Sequence, residues 1–96
     1  MKTKVVNEPE AIAKLYKAVL SIQSPEECDV FFRAVCTDAE ICSMAQRLKL
    51  FTLLEQKKTY IEIEEQTTAS TATISRARRN LKKNEALMEF LKKNEG

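Results

Sequence analysis

Between Glu65 and Arg76 the chain carries no charged side chain, and it is bracketed by opposite charges. Glu62, Glu64 and Glu65 precede the window; Arg76, Arg78, Arg79, Lys82 and Lys83 follow. The window holds small hydroxyl and methyl groups: Thr67, Thr68, Ser70, Thr71, Ala72, Thr73 and Ser75. Such a segment suits the start of a helix that enters the DNA major groove. Its tip must come close to base edges, while cations further along meet phosphates. The pattern is that of a helix-turn-helix over roughly residues 59–83: a capped acidic helix, a three-residue break, then a capped helix with a neutral tip and a basic tail. Ile63 and Thr67 face the core from the first of these helices, and Ile74, Ala77 and Leu81 from the second. Thr71, Ala72, Ser75, Arg76 and Arg79 are left outward, where Ala72 or the Thr71 methyl can meet a thymine methyl and the arginines can reach guanine or phosphate.

Other chemistries find little support. The single glycine is Gly96, so phosphate loops, dinucleotide fingerprints and nucleophile elbows, which need internal glycines, do not fit. There is no histidine, which removes the commonest general base and the commonest metal ligand. No catalytic constellation, metal site or cofactor is expected. Cys28, Cys36 and Cys42 are odd in number and lack a C-x-x-C spacing, so they read as small buried hydrophobes in a reducing, cytoplasmic compartment. No apolar run approaches the ~20 residues of a membrane span, and Met1-Lys2-Thr3-Lys4 leads into no signal-peptide core.

The elements that must position the tip are helical throughout. Ninety-six residues give at most one domain, with 16 basic and 14 acidic side chains and a net charge of +2. The total charge is uninformative, but Ser70 to Lys83 contains five cations and no anion. Ile12, Leu15, Tyr16, Val19 and Leu20 lie on one face of a helix over about 9–22. Ser24-Pro25-Glu26-Glu27, Thr37-Asp38-Ala39-Glu40 and Thr59-Tyr60-Ile61-Glu62 are capping boxes that open further helices. On the helix after Thr37, Ile41, Met44, Ala45, Leu48, Phe51 and Leu54 or Glu55 form a stripe ending at Lys57-Lys58. Ser70 caps the candidate recognition helix, and Asn84 a last one over 85–93. Phe31, Phe32 and Phe51 fall in apolar runs and read as core or dimer interface. Residues 1–8 and 94–96 are expected to fray.

The stretch Thr37 to Lys82 resembles the tryptophan repressor family, through TDAE (37–40), Arg47 in AQRLKL and ATISRARRNLK (72–82). The whole chain is similar to an uncharacterised repressor-related branch marked by SMAQRL (43–48), KTY (58–60) and ASTATISR (69–76). The resemblance implies an all-α, six-helix, intertwined homodimer of single-domain chains (residues 1–96). Helices within about 9–57 and 85–93 would dimerise, and two helix-turn-helix heads would bind near-palindromic double-stranded DNA. By position it implies base-facing Ile61, Ser70, Thr71, Ala72 and Ser75, and phosphate contacts at Tyr60, Thr73 and Lys82 beside Arg76 and Arg79. The corepressor pocket falls at Ala34, Thr37, Arg47, Thr73, Arg76, Ala77 and Asn80. Ala77 and Asn80 replace the repressor's glycine and serine, and their added atoms intrude where an indole would lie. A small-molecule effector, if one binds, is therefore expected to be other than tryptophan. Two further departures, Thr68 at a position where glycine is usual in the turn and Glu64 in place of a small residue, predict a distorted head. A left-handed Thr68 would cost about 1 kcal/mol. The alternative function is a helical, dimeric protein-interaction module without DNA binding.

Overall fold

A computed structural model of the protein describes residues 8–94 as six α-helices, with no strand among them. They are α1 (Pro9–Leu20), α2 (Pro25–Val35), α3 (Asp38–Glu55), α4 (Tyr60–Gln66), α5 (Thr71–Lys82) and α6 (Glu85–Lys93). None is long and apolar enough to cross a membrane. The expectations of frayed ends and of a leaderless start, so far as they concern residues 1–7 and 95–96, lie outside the described residues. Glu8 and Asn94 take cap positions: the Glu8 carbonyl accepts from the Ile12 N–H at 2.9 Å, and the Asn94 amide donates to the Phe90 carbonyl at 2.8 Å.

The chain divides into two compact units, Met1–Asp38 and Ala39–Gly96. In the first, proline at the first helical position opens both α1 and α2. Ser24 caps α2, its Oγ accepting from the Glu27 N–H at 3.1 Å. The Glu27 carboxylate reaches one residue further back than a standard capping box and accepts from the Gln23 N–H at 2.9 Å. Arg33 joins Asp29 (2.8 Å) and Asp38 (2.9 Å) on the surface. Phe31 and Phe32 meet edge to face, with centroids 5.2 Å apart. Neither α1 nor α2 holds a buried residue. The apolar stripe of α1 is real, but Leu15, Tyr16 and Leu20 are exposed.

The second unit has the core. Leu50 and Leu53 of α3, Ile63 of α4, and Ile74 and Ala77 of α5 form one buried cluster, with Phe51, Leu54, Tyr60 and Ala69 packed around it. Ile63 and Ile74 are completely inaccessible, and burying each side chain contributes roughly 1.5–3 kcal/mol. Leu81 and Leu91 are buried as α6 packs on α5. The stripe expected on α3 meets this core only at its C-terminal end, where Phe51 and Leu54 pack against the cluster and Glu55 is buried. Leu50 and Leu53 are buried, whereas Met44 and Leu48 of the expected stripe are exposed. Helix α3 is apolar on more than one face, so periodicity alone did not select the inward one.

α3 ends in a Schellman arrangement: the Lys58 N–H donates to the Leu53 carbonyl (3.1 Å) and the Lys57 N–H to the Leu54 carbonyl (3.0 Å). Lys57 occupies the left-handed position at φ 64°. A non-glycine residue there costs about 1–2 kcal/mol, which the two bonds and the packing of α4 must offset.

Candidate nucleic-acid interface

Thr59 starts α4 with a reciprocal capping box. Its Oγ1 accepts from the Glu62 N–H at 3.1 Å, and the Glu62 carboxylate accepts from the Thr59 N–H at 2.8 Å. The hydrogen bonds from Thr59 hold the Glu62 carboxyl below its ordinary 4.5, the backbone bond being the largest influence. The helix runs seven residues and stops at Thr67, which is extended at φ −134°, ψ 173°. The Thr67 hydroxyl closes the corner: it donates to the Ile63 carbonyl at 2.8 Å and accepts from the Ala69 N–H at 3.2 Å.

This corner corrects the expectation for Thr68. The connection 67–70 is one residue longer than the three-residue break read from sequence, and extended Thr67 makes the bend. Among the described non-glycine residues only Lys57 has a positive φ, so Thr68 carries no left-handed strain. A hydroxyl that satisfies the exposed backbone does the work that glycine's freedom does elsewhere.

Ser70 caps α5. Its Oγ accepts from the Thr73 N–H at 3.2 Å and donates to the Thr73 Oγ1 at 3.0 Å, which engages both hydroxyls within the tip. Ile74, Ala77 and Leu81 face inward, as their spacing predicted. Ser70, Thr71, Ala72, Thr73, Arg76 and Arg79 are exposed, and Ser75 is half-buried. Ile61 projects from α4 with 69 % of its surface accessible. The remaining departure, Glu64, is a partner of the tip: the Thr71 hydroxyl donates to its carboxylate at 2.7 Å. Sequence reasoning missed this bond because it spans seven residues and a corner, a spacing with no helical signature.

The basic tail splits. Arg76 and Arg79 point to solvent. Arg78 and Lys82 line a cleft of about 360 Å³ with Lys57 and Lys58, over an apolar floor of Leu54, Leu81 and Met88. Arg78 also lies over the Tyr60 ring. The hydrogen bond with Ser75, followed by the bond and charge of Arg78, lowers the Tyr60 pKa from its ordinary 10.0 against the opposing effect of burial. Arg78 was not among the expected contacts; it lies one position from the periodic outward set.

The expected effector residues are only partly brought together. Arg47 and Thr73 share a cavity of about 180 Å³ with Ser43, Gln46, Thr67 and Thr68. Arg76, Ala77 and Asn80 are not in its lining. Ala77 belongs to the buried cluster, while Arg76 and Asn80 are exposed on α5. Ala34 and Thr37 are exposed residues of the first unit, Ala34 beside Val30 and Phe31 on a shallow face of α2. The reading of the cysteines as buried needs correction: Cys28 and Cys36 are half-buried, Cys42 is exposed, and all three are free thiols. Val30 and Val35 of α2 and Met44 and Leu48 of α3 are exposed as well, so the cysteines lie on faces that stay accessible among the described residues.

Comparison with known proteins agrees with this architecture. A model of the Trp repressor protein family matches residues 10–95. The uncharacterised protein YerC of Bacillus subtilis (strain 168) is 48 % identical over 68 residues, 71 % of this chain. The match spans 65 % of YerC, just under two thirds of that protein's length. Among solved structures, a TrpR-like protein from Eubacterium eligens ATCC 27750 superposes with a TM-score of 0.75 at 38 % identity, covering 93 % of this chain and 96 % of that one. A candidate Trp repressor from Staphylococcus aureus gives 0.70 at 43 % identity, covering 78 % and 75 %.

Proposed function

The chain belongs to the Trp repressor protein family, and from that premise we propose that it is a sequence-specific transcriptional regulator that binds a near-palindromic operator as a homodimer. The observation that carries this reading is the division of α5 into two faces. Ile74, Ala77 and Leu81 anchor the helix in the core, while Thr71, Ala72, Thr73, Arg76 and Arg79 are exposed on the other side. The anchored face fixes the helix direction; the exposed face offers a neutral tip for base edges and cations for phosphates.

In this reading residues 59–83 are the head, and residues 9–57 and 85–93 supply the dimer. Ile61, Thr71, Ala72 and Ser75 face bases, with Ser70 holding the tip in shape. Tyr60, Thr73, Arg76, Arg79 and Lys82 meet the backbone. The apolar side chains left accessible in α1, α2 and α3, among them Leu20, Val30, Val35 and Leu48, support burial against a second copy. A two-fold pair would set its recognition helices about one DNA turn, ~34 Å, apart. The regulator is non-catalytic and acts in the cytoplasm.

Of the residues expected in an effector pocket, Arg47 and Thr73 line one cavity. Their cavity of about 180 Å³ supports a small effector or none. A thermal-shift screen of amino acids is expected to show no response to tryptophan.

The test is selection of bound DNA from a random pool, followed by fluorescence anisotropy across a salt series. Affinity is expected to fall steeply as salt rises, because neutralised phosphates release counterions. An affinity indifferent to salt, or a pool that yields no enriched site, would refute the reading.

A further inference from the structure

The bond between Thr71 and Glu64 fixes the hydrogen-bonding character of the tip. A free threonine hydroxyl offers one donor and two acceptor lone pairs, so by itself it can meet almost any base edge. Here its single proton is committed to the Glu64 carboxylate at 2.7 Å. What remains of Thr71 is lone pairs and a methyl group. Glu64 likewise only accepts. The side chains of Thr71 and Glu64 therefore make an exposed pair that accepts hydrogen bonds and donates none, beside the backbone N–H groups of the first turn of α5.

A carboxylate at this place is not explained by general affinity for DNA. It opposes the phosphates, and none of the ion pairs found among the described residues involves it. The bond to Thr71 at the first turn of α5 gives the carboxylate a structural role; on DNA it adds discrimination, where repulsion of wrong partners counts as much as attraction of the right one. In the major groove guanine presents two acceptors, N7 and O6, and thymine presents O4 and a methyl group. Either would set acceptor against acceptor. Adenine offers its N6 amine beside an acceptor, N7. Cytosine offers its N4 amine with no acceptor next to it on its own edge. An anionic acceptor is satisfied best by cytosine. One turn earlier on α4, exposed Ile61 adds an apolar surface rather than a donor.

We propose that Glu64, held in place by Thr71, is a specificity-determining residue that selects cytosine at the base pair beneath the tip. This rests on the DNA-binding reading above and adds to it a named base and a named residue. The tip is then a rigid two-residue reader spanning both helices of the head. Thr71 positions the carboxylate, and Glu64 makes the base contact.

The experiment is selection from a random pool with the parent chain, Glu64→Gln and Thr71→Val, followed by competition titrations that vary one base pair at a time. Circular dichroism melting checks that each variant folds; both sites are on the surface. The parent is expected to prefer cytosine over guanine at one position per half-site by about ten-fold, the scale of a good base contact. Glu64→Gln, which presents both a donor and an acceptor, is expected to lose that preference and favour adenine. It should also bind non-specific DNA more tightly. Thr71→Val keeps the shape but releases the carboxylate, and is expected to reduce the cytosine preference several-fold while leaving some of it. If parent and Glu64→Gln enrich the same base at every position, the proposal is overturned while DNA binding stands. If the parent binds no DNA, the functional reading falls and takes this inference with it.

Discussion

Arg78 of α5 lies over the ring of Tyr60 of α4, its guanidinium carbon 5.9 Å from the ring centroid. The contact ties the first residue of one helix to the middle of the next, and it places a cation next to a phenol already bonded to Ser75. The Tyr60 phenol is therefore expected to titrate below 10.0 in the folded protein, and Ser75→Ala to raise its pKa. The sign of the linkage follows. A depressed folded pKa means that the fold releases this proton more readily than the unfolded chain. The stabilisation is present above the unfolded value and is lost as pH falls through the folded one. Ultraviolet difference titration of the parent and of Ser75→Ala reads the phenol, and denaturant midpoints across the alkaline range should show the gain in the parent and not in Tyr60→Phe.

The capping box at Thr59 gives the second prediction. Thr59→Ala removes the acceptor for the Glu62 N–H, a loss of about 1 kcal/mol for a helix of this kind. Because α4 is only seven residues long, it has little else to hold its first turn. The Glu62 carboxylate is depressed below 4.5 mainly by the Thr59 N–H, so its contribution is present above that value and disappears as pH falls through the folded pKa. Denaturant midpoints measured at neutral and acid pH should converge for parent and Glu62→Gln at the acid end. Midpoints that stay apart there would contradict the box.

The third concerns the core of the head. Ile63 and Ile74 are both wholly inaccessible and belong to one cluster. Ile74→Ala should destabilise by about 2–5 kcal/mol, since neighbours on three helices cannot all close around the void. Ile74→Val should cost about 1 kcal/mol. Urea unfolding measures both, and DNA affinity should track the fraction folded rather than fall independently.

Much of this arrangement was readable from the chain, and what was not has physical causes. Caps were legible because they are local: Ser24, Thr59, Ser70 and Asn84 each accept from the N–H three residues on, as expected. The buried face of α5 was legible because one stripe is apolar and the rest polar. Helix α3 defeated the same reasoning, since leucines surround it and only the position of α4 and α5 makes Leu50 and Leu53 the inward ones. At Thr68 the error came from treating a chemical rule as a geometric necessity. Glycine is one way to turn the corner; an extended Thr67 with a bonded hydroxyl is another. Glu64 was seen as an oddity because its partner, Thr71, becomes a neighbour only once the corner is made.

The divided basic tail yields a fourth prediction. Arg79 is exposed on α5, and Lys82 lies at the cleft shared with Lys57, Lys58 and Arg78. If each meets one phosphate, Arg79→Gln and Lys82→Gln should each reduce the slope of log affinity against log salt by about 1, with the loss nearly equal on all sequences. Anisotropy titrations at four or more salt concentrations decide it. A change in base preference without a change in slope would reassign the residue from the backbone to a base.

The proposed pairing of two copies gives the last prediction, and the first unit makes it sharp. α1 and α2 bury no residue, yet Leu20 is 85 % exposed and Val30 71 %. A segment with so little apolar burial cannot offset the entropy of ordering its backbone, about 1–2 kcal/mol per residue. Its helices should persist only where a second copy covers them. The melting temperature should then rise with protein concentration, as it must when folding and association are one step. Val30→Glu places a carboxylate on the face to be covered, and an uncompensated charge there costs several kcal/mol. Sedimentation equilibrium should show the parent as a dimer and the variant displaced toward monomer. Helical content should fall along with it, and affinity should be lost for paired half-sites more than for single ones. A Val30→Glu chain that stays dimeric with undiminished helicity would show that this face of α2 is not part of the interface.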